Sequence, residues 1–361
     1  KGRFLLGDIL PAVKTIEENL KNLKEVKKIN VAGSVRRMKE TIGDVDLLAV
    51  AGNPRRVADF FVSLPGVVKI WGKGATKVSV RMKEGFDVDL RIVPEKSYGA
   101  ALQYFTGSKE HNIILRKIAI DKGLKLNEYG LFRGSKMIVA ITEKEIYRTL
   151  GLSYIEPEMR ENQGEIDLAL KNKLPKIIGY KDIRGDLHTQ TDWNGGHHSI
   201  EEMAEEAMKM GYEYLGISDH TKFLRIEHGL DEKQLLKQKK EIGRLNSKFP
   251  ARLRLDEVKA GRQIQNSKFR ILHGCEANIM PDGSIDIDNK VLAQLDYVIA
   301  GVHSQMKMSK EKMTERIIKA MKNPNVDIIS HPTGRLLQKR DEYQIDFDKI
   351  LRGANLTKTI L

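Results

Sequence analysis

The sequence predicts an α+β domain followed by an α/β domain. In the first half, several short strand patterns are grouped between amphipathic helices, which is typical of a mixed sheet flanked by helices. In the second half, from Asp182 onward, strand-like and helical runs alternate, which favours a parallel sheet or a barrel. Between them, residues 155–182 are polar, contain Pro157 and Pro175 and lack a sustained period, so we expect a linker.

The elements of the first half follow from their hydrophobic spacing. Apolar residues recur at helical intervals over residues 8–25, which predicts an amphipathic helix. We expect further helices after Pro54, over residues 97–105 and 109–122, and near residues 142–150. The last three of these helices belong to a smaller subdomain packed against the sheet. The predicted strands lie near residues 29–33, 45–50, 67–71, 76–82 and 86–93.

The second half carries polar residues where its predicted strands end. The predicted strands are 214–218, 271–274, 297–302 and 326–330, and the predicted helices lie near 199–210, 231–247 and 309–322. His220, Glu276, His303 and His331 each follow one of these strands. Active sites of α/β barrels form at the carboxyl ends of strands, so these positions indicate a metal-binding or catalytic site.

Composition limits the class of protein. A chain of 361 residues with 40% hydrophobic residues is expected to form about two globular domains, and it has no apolar run of membrane-spanning length and no signal peptide. The single cysteine, Cys275, excludes internal disulfides and is expected to be a small buried residue in a reducing compartment. The net charge is +13, and residues 1–182 hold 33 Lys+Arg against 23 Asp+Glu. This basic excess favours a partner with a phosphate backbone.

Three aspartates in the first half predict a site of phosphoryl transfer. Asp44 and Asp46 are two positions apart within an apolar run, so on a strand their side chains point to the same face. Asp89 stands in a second such run, and the pair Gly33-Ser34 precedes all three. Converging carboxylates repel one another unless they share cations, and hard oxygen ligands suit Mg²⁺. The alternative is that the aspartates are turn residues or solvated charges at strand edges.

Residues 1–150 resemble the palm and thumb of the family X DNA polymerases, the group that includes polymerase beta. The resemblance is carried by separated motifs: Gly33-Ser34 with Arg36-Arg37, Gly43 to Asp46, Asp89 to Pro94, Tyr104 to Ser108, Asn112, Arg116 and Leu126 to Tyr129. It implies a nucleotidyltransferase palm over residues 1–94 and a small α/β thumb over residues 95–154. It also implies that a lyase-type domain and a fingers segment precede these residues, so we expect the chain to be a fragment.

The resemblance also implies a role for each matching residue. Asp44 and Asp46 would bind two metal ions, Mg²⁺ or Mn²⁺, and Asp89 would bind the catalytic one. The triphosphate would be held by Arg3, Gly33, Ser34, Arg37 and Gly43. Tyr104 and Phe105 would pack on the sugar beside a Gly107-Ser108 bond that can be cis, and Asn112 would face the nascent base pair. Arg116 would contact the template. The alternative is that Tyr104 and Phe105 are ordinary core aromatics and that Arg36, Arg37 and Arg116 are solvated helix or loop charges.

Residues 183–361 resemble an incomplete PHP domain (polymerase and histidinol phosphatase), a distorted (βα)7-type barrel whose metal cluster hydrolyses phosphoesters. The residues at ligand positions are His188, His220, Glu276, His303 and His331, which would hold Mn²⁺ or Zn²⁺. Two positions depart from the family pattern, because Gln190 replaces a histidine and Gly195 an aspartate. The last ligand pair of the family would fall beyond Leu361, so we expect a truncated and degraded site.

Together these features predict a DNA-directed DNA polymerase that fills gaps in base excision repair. Its partners would be gapped or primed double-stranded DNA and deoxynucleoside triphosphates, and we expect a cytoplasmic monomer associated with the nucleoid and with no membrane. One alternative makes the PHP half the main activity, as a 3′-5′ exonuclease or abasic-site endonuclease. Two others are a non-catalytic DNA-binding scaffold and an RNA-tailing nucleotidyltransferase, and the intact aspartates and the thumb motif count against these.

Overall fold

The computed structural model describes residues 2–249 and 269–361. The chain forms two compact units, Lys1–Ile177 and Ile178–Leu361. Within the described ranges, no helix combines the length and apolar character that crossing a membrane requires.

The first unit is built on a mixed five-stranded sheet. Its strands are β2 (Val26–Val31), β4 (Val45–Ala51), β5 (Val67–Lys73), β6 (Lys77–Met82) and β7 (Asp87–Ile92), and two short strands, β1 (Phe4–Leu5) and β3 (Thr41–Ile42), pair separately. The spatial order is β2-β4-β7-β6-β5, with β4 parallel to β7 and the other neighbours antiparallel. The predicted strands are therefore confirmed, and the two that carry the aspartates are adjacent.

Two helices cover the hydrophobic core of this sheet. Helix α1 (Leu6–Lys21) buries Ile9, Val13, Ile16 and Leu20 and ends four residues before the predicted end at residue 25. Helix α3 (Pro54–Val62) begins after Asn53, whose side chain accepts a hydrogen bond from the backbone N–H of Arg56. A single turn, α2 (Gly33–Arg36), follows β2 and leads towards β4.

The smaller subdomain follows the sheet. It contains α4 (Tyr98–Thr106), α5 (Lys109–Asp121), α6 (Glu143–Thr149) and an antiparallel sheet of β8 (Lys125–Asn127), β9 (Gly130–Arg133) and β10 (Lys136–Val139). Part of the expected linker is folded here, because α7 (Glu165–Leu170) buries Ile166 and Ala169 in the same core as Leu115. The boundary between the units lies at residues 177 and 178, so only the end of the polar segment separates them.

The second unit contains two parallel three-stranded sheets. They are formed by β11 (Gly185–Thr189), β12 (Tyr214–Ile217) and β13 (Arg270–His273), and by β14 (Glu276–Asn278), β15 (Ile299–Gly301) and β16 (Ile328–Ile329). An isolated bridge between His220 and Glu276 joins the two groups. The described helices are α8 (Ile200–Met210), α9 (Glu232–Lys248), α10 (Asn289–Leu292), α11 (Lys310–Met321) and α12 (Phe347–Thr357). The predicted β/α alternation is confirmed, whereas a closed barrel stays a prediction.

The side chain of Tyr297 packs against the first of these sheets. Tyr297 is buried, and its hydroxyl donates a hydrogen bond to the carbonyl oxygen of Leu187, with 2.7 Å between the oxygens. A Cβ atom at Gly216 or Gly274 would overlap the Tyr297 ring. Glycine at these positions therefore lets the ring lie against β12 and the end of β13.

Candidate active site

Two of the three predicted carboxylates lie side by side in the palm sheet. Parallel pairing of β4 with β7 places Asp46 directly opposite Asp89. Asp44 precedes Asp46 by two positions, and its charge and that of Asp89 both act on the Asp46 carboxyl group. The structure therefore brings the three aspartates together at one end of the central strands.

The carboxylates of this cluster repel one another, so positive charge stabilises their ionised forms. Burial, followed by repulsion from Asp44 and Asp89, raises the pKa of Asp46 to about 6, while Arg91 and Lys77 oppose the shift. The Lys77 ammonium lies 2.7 Å from Oδ2 of Asp89. Acceptor oxygens held this close in a partly buried place fit a divalent cation, whose charge would replace that of the lysine.

The Gly33-Ser34 turn lies against this cluster. Gly33 has φ +58°, and a Cβ atom there would overlap Oδ2 of Asp46. The N–H of Ala32 donates to the carbonyl oxygen of Asp46 at 2.8 Å, which fixes the turn to β4. Ser34 is the next residue, and its carbonyl oxygen accepts from the N–H of Lys39 at 3.1 Å. Glycine is required at position 33 both by its backbone conformation and by the close carboxylate.

The two arginines that follow this turn have different surroundings. Arg37 donates from Nε to Oε1 of Glu161 at 2.8 Å and from Nη1 to the carbonyl oxygen of Thr106 at 2.6 Å. A Cβ atom at Gly107 would lie 3.2 Å from Nη1 of Arg37, so the guanidinium group lies beside the loop between α4 and α5.

Arg36 belongs instead to a buried ion-pair group. It donates to both carboxylate oxygens of Glu143, at 3.0 and 2.7 Å, and Glu143 also accepts from Arg160 at 2.6 Å. Burial opposes ionisation of Glu143, but the hydrogen bond from Arg36 and the charge of Arg160 outweigh it and lower the pKa of Glu143 to about 2. The sequence reading missed Glu143 and Arg160, because nothing near them in the chain marks an ion pair.

Arg3 lies at the edge of the same region. Its Nε donates to Oγ1 of Thr41 at 2.8 Å, and Nη2 donates to the carbonyl oxygen of Thr41 at 2.5 Å. A Cβ atom at Gly43 would lie 3.6 Å from Nη1 of Arg3. The structure therefore places Arg3 beside Gly43, one residue before Asp44.

The loop between α4 and α5 collects the thumb residues. The Gly107–Ser108 peptide bond is cis. Asn112 donates to the carbonyl oxygen of Tyr104 at 2.8 Å and accepts from Gln103 at 2.6 Å, so its amide supports the end of α4.

Tyr104, Phe105 and Arg116 are the other predicted thumb residues. The Tyr104 and Phe105 rings meet edge to face at 5.1 Å, and the Arg91 guanidinium lies 4.3 Å from the centre of the Phe105 ring. Arg116 is half-buried on α5 and has no hydrogen-bond or ion-pair partner within the described ranges. It is therefore available to a ligand.

In the second unit, the predicted ligands converge on one carboxylate. Glu276 lies at the start of β14 and is 2% exposed, so its carboxylate oxygens contact other side chains and not solvent. Its contacts to histidine nitrogens are His188 at 2.9 Å, His220 at 3.2 Å, His303 at 3.4 Å and His331 at 3.1 Å. Within the described ranges, His220, Glu276 and His303 present ligand atoms within 4.8 Å of one another. This donor set of imidazoles and one carboxylate could hold a metal ion.

The charges of this cluster depend on one another. Burial disfavours the charged form of Glu276, but hydrogen bonds from His188, His303 and His331 outweigh burial and hold the pKa of Glu276 well below its usual range. The hydrogen bond to Glu276 raises the pKa of His188, whereas burial lowers that of His220. The Nδ1 atom of His303 lies 2.7 Å from Oδ1 of Asn278, a contact that orients its ring towards Glu276.

Gln190 lies in this cluster, at the position where the PHP family pattern has a histidine. Its Nε2 is 3.3 Å from Nε2 of His220 and 3.3 Å from Oε2 of Glu276. The amide therefore hydrogen-bonds the ligand residues instead of adding a nitrogen ligand. Gly195 has φ +76°, a conformation that favours glycine over the expected aspartate.

Asp219 directly precedes His220 and is fully buried. It accepts hydrogen bonds from the N–H and hydroxyl of Thr191 at 2.6 and 2.7 Å and from Gln238 at 2.6 Å. Gln238 in turn contacts the buried His273 at 3.2 Å, and burial lowers the pKa of His273 to about 4. This buried chain ties the segment that carries Gln190 to α9.

Comparisons with known proteins agree with both halves. The family described as DNA polymerase beta thumb matches residues 101–161, and the PHP domain family matches residues 186–351. The DNA polymerase/3′-5′ exonuclease PolX of Bacillus subtilis is 37% identical over 99% of this chain, and the chain covers 60% of that relative's length. Repair DNA polymerase X of African swine fever virus is 32% identical over 37% of this chain and 82% of its own. A probable phosphatase of Acetivibrio thermocellus is 32% identical over 47% of this chain and 60% of its own.

Proposed function

This chain belongs to the X family of DNA polymerases, and we propose that its first unit adds deoxynucleotides to a primer 3′-end during gap filling in DNA repair. The observation that carries the proposal is the convergence of Asp44, Asp46 and Asp89, with the pKa of Asp46 raised to about 6 by burial and by its two neighbours. Two of these relatives, the DNA polymerase/3′-5′ exonuclease and the repair DNA polymerase, support the same activity by their names.

The reaction would use the carboxylates as cation ligands. Asp44, Asp46 and Asp89 would hold Mg²⁺ or Mn²⁺, which when bound stabilises negative charge on the attacking and leaving oxygens. Asp89 would accept the proton of the primer 3′-hydroxyl, or pass it to water, since its side chain is 26% exposed. The new bond joins the 3′-oxygen to the α-phosphorus, and the bond to pyrophosphate breaks.

The residues around the aspartates would position the nucleotide. Gly33 and Ser34 would present backbone N–H groups to the triphosphate, and Arg37, Arg3 and Gly43 would complete its binding site. Nη2 of Arg37 would bind the triphosphate, because Nε and Nη1 donate hydrogen bonds to Glu161 and to the carbonyl oxygen of Thr106.

The thumb side of the site would select the sugar and the base. Tyr104 and Phe105 would pack against the deoxyribose and disfavour a 2′-hydroxyl, beside Gly107. Asn112 would face the nascent base pair, and Arg116 would contact the template strand. In this proposal residues 1–94 form the palm and residues 95–154 form the thumb.

Primer extension on a one-nucleotide gap tests the proposal. The wild-type chain should add one nucleotide with Mg²⁺ or Mn²⁺, and Asp89→Ala should lose activity by at least about 1,000-fold, since a ligand of the reacting centre is removed. The matched control is Asp121→Ala, which removes an exposed carboxylate at the end of α5. Normal extension by Asp89→Ala, or none by the wild type on gapped DNA, would refute the assignment.

We also propose an accessory phosphoesterase site in residues 183–361, within a distorted barrel. The specific observation is the single carboxylate of Glu276 contacted by four histidines. A bound Mn²⁺ or Zn²⁺ would supply an activated water for hydrolysis of a 3′-terminal phosphodiester. Gln190 and Gly195 reduce the ligand set, so we expect a slower reaction than a complete site would give.

A pair of variants separates the two activities. Glu276→Ala should leave gap filling unchanged and remove Mn²⁺-dependent hydrolysis of a single-stranded oligonucleotide. Asp89→Ala should have the reverse effect. If hydrolysis persists in Glu276→Ala, the second unit is not its source.

A further inference from the structure

We propose that Lys69, Trp71 and Arg81, called here the basic–aromatic strip, bind the sugar–phosphate backbone of the primer strand just behind its 3′-end. The three residues lie on the antiparallel pair β5–β6, outside the set of residues considered above. The inference rests on the proposed polymerase function, because it takes the primer 3′-hydroxyl to lie at Asp89. It adds a binding surface that the metal, triphosphate and template positions do not include.

An indole held at the surface is the central feature of the strip. Trp71, on the outer strand β5, is 49% exposed, which is uncommon for so large an apolar side chain. Its Nε1 donates to Oδ1 of Asp87 at 2.9 Å, and this hydrogen bond fixes the orientation of the ring. Asp87 is buried and is itself held by Arg81, whose Nε and Nη2 lie 2.8 and 3.0 Å from the two carboxylate oxygens. The exposed ring is therefore preorganised.

Cations surround the ring. The Lys69 ammonium lies 3.9 Å from the centre of the Trp71 ring, and the Arg81 guanidinium carbon lies 5.2 Å from it. Strands β5 and β6 together carry four cationic side chains and no acidic one. An aromatic face between cations is the combination that binds nucleic acid strands, where the cations neutralise phosphates and the ring packs on a sugar or base.

Sheet register places the strip next to the catalytic carboxylates. Arg81 pairs with Asp87 across β6 and β7, and Lys69 pairs with Arg81 across β5 and β6. Asp87 and Asp89 are two positions apart on β7, so their side chains share one face of the sheet. Two inter-strand spacings separate β5 from β7, about 10 Å. A strand ending at Asp89 would thus pass its next phosphates over the strip.

A polypeptide strand is a poorer occupant of this edge. Strand β5 is the outer strand of the sheet, but its register with β6 shifts between Val67 and Lys69 and again between Ile70 and Gly72. Such irregularities and outward lysines interrupt the regular row of backbone groups that an added strand would need. The charge and the irregular edge both favour DNA.

Fluorescence provides a direct test, because the sequence contains only two tryptophans. Trp193→Phe leaves Trp71 as the single reporter, and Trp71→Phe leaves Trp193 in the other unit as the matched control. Each variant is titrated with a hairpin primer–template DNA without nucleotide or metal, while anisotropy of a dye on the DNA reports binding. We expect the emission of Trp71 to change with the same midpoint as the anisotropy, and that of Trp193 to stay constant.

Affinity measurements then locate the contact. Trp71→Ala should weaken primer–template binding roughly tenfold, the size of one lost stacking contact. Lys69→Gln, which preserves the strand, should lower the salt dependence of binding by about one phosphate contact, whereas Lys83→Gln, at an exposed position in the turn after β6, should not. Methylphosphonates placed singly behind the primer 3′-end should weaken binding by the wild type but not by Lys69→Gln.

The outcomes separate this inference from the polymerase assignment. If Trp193→Phe binds and extends the primer while Trp71 emission stays constant and Lys69→Gln binds normally, the strip is refuted and the polymerase function stands. If the DNA changes Trp71 emission but no primer is extended, the strip is a DNA-binding surface, whereas the polymerase function and the assignment to the primer 3′-end fall. An effect of template-strand methylphosphonates alone would overturn the assignment to the primer.

Discussion

Glu161 accepts a hydrogen bond from Arg37, with 2.8 Å between Oε1 and Nε, although the two residues are 124 positions apart in the chain. The carboxylate also lies 3.5 Å from the ammonium of Lys39. Glu161 thereby fixes the guanidinium group that we propose for the triphosphate, and it comes from the segment that the sequence presented as a linker. It is a positioning residue in this proposal.

Removing this carboxylate should weaken nucleotide binding. We expect Glu161→Ala to raise the KM for the incoming nucleotide roughly tenfold, because Arg37 loses a charge-assisted hydrogen bond, with little change in kcat. Glu161→Gln retains an acceptor and should stay within about threefold of the wild type. Steady-state single-nucleotide gap filling measures both, with the exposed Glu158→Ala as control. A lower KM in Glu161→Ala would instead mean that the carboxylate competes with the triphosphate.

Gly33→Ala should abolish cation binding at the aspartates. The new methyl group would overlap Oδ2 of Asp46 in addition to straining a residue with φ +58°. Gly123→Ala is the matched control, because Gly123 has φ +69° but open space around it. We expect gap filling to fall at least about 100-fold in Gly33→Ala, a cost of roughly 3 kcal/mol in the barrier, and to change little in Gly123→Ala. Equal effects in the two variants would leave backbone strain as the whole cause.

Asp46→Asn should stabilise the metal-free protein at neutral pH. Burial raises the pKa of Asp46 to about 6, so the folded state binds this proton more tightly than the unfolded state does. The ionised carboxylate therefore destabilises the fold in full above pH 6, and this penalty disappears as the pH falls towards 4. We expect a gain of roughly 1–3 kcal/mol in the free energy of unfolding at pH 7.5.

Denaturant unfolding at several pH values, in the presence of a chelator, measures this gain. The exposed Asp121→Asn should show no comparable gain at any pH. Mg²⁺ should stabilise the wild type and have little effect on Asp46→Asn. A gain in Asp46→Asn that does not depend on pH would point to packing instead of charge.

Gln190→His should strengthen metal binding in the second unit. The amide nitrogen of Gln190 lies 3.3 Å from both His220 and Glu276, so an imidazole there would face the same cluster. We expect the affinity for Mn²⁺ to rise roughly tenfold or more, measured by calorimetry, and the rate of oligonucleotide hydrolysis to rise with it. Gln190→Ala is the control for loss of the amide alone. Unchanged metal binding in Gln190→His would show that position 190 is not what limits this site.

Local patterns predicted the parts of the sites that lie within one strand or at its end. Alternation predicted that Asp44 and Asp46 share one face and that Asp89 lies on a second strand, and strand ends predicted the cluster around Glu276. Which side chains meet across these elements depends on the tertiary structure. The sequence therefore predicted Glu276 only as one of five ligands, with no central role. The structure shows it as the carboxylate that the four histidines contact.

Long-range ion pairs and short folded segments were not predictable in this way. Arg36 and Arg37 are neighbours and were grouped together, yet one pairs with Glu143 and the other with Glu161. The helix at residues 165–170 is too short to show a clear period, and its burial depends on contacts with a core formed 50 residues earlier in the chain. Trp71 lies at the end of a strand that was predicted, residues 67–71, but its exposure is not visible in sequence.

The contact between Lys77 and Asp89 makes the palm sheet supply its own counterion. A cation that took Oδ2 of Asp89 as a ligand would displace an ammonium group 2.7 Å away, and that side chain is 46% exposed on β6. The displaced lysine would keep its charge on the sheet that carries the basic–aromatic strip, where it could meet a phosphate. Metal and DNA would then assist each other through one exchanged ion pair, and by thermodynamic reciprocity each would tighten the other by the same factor.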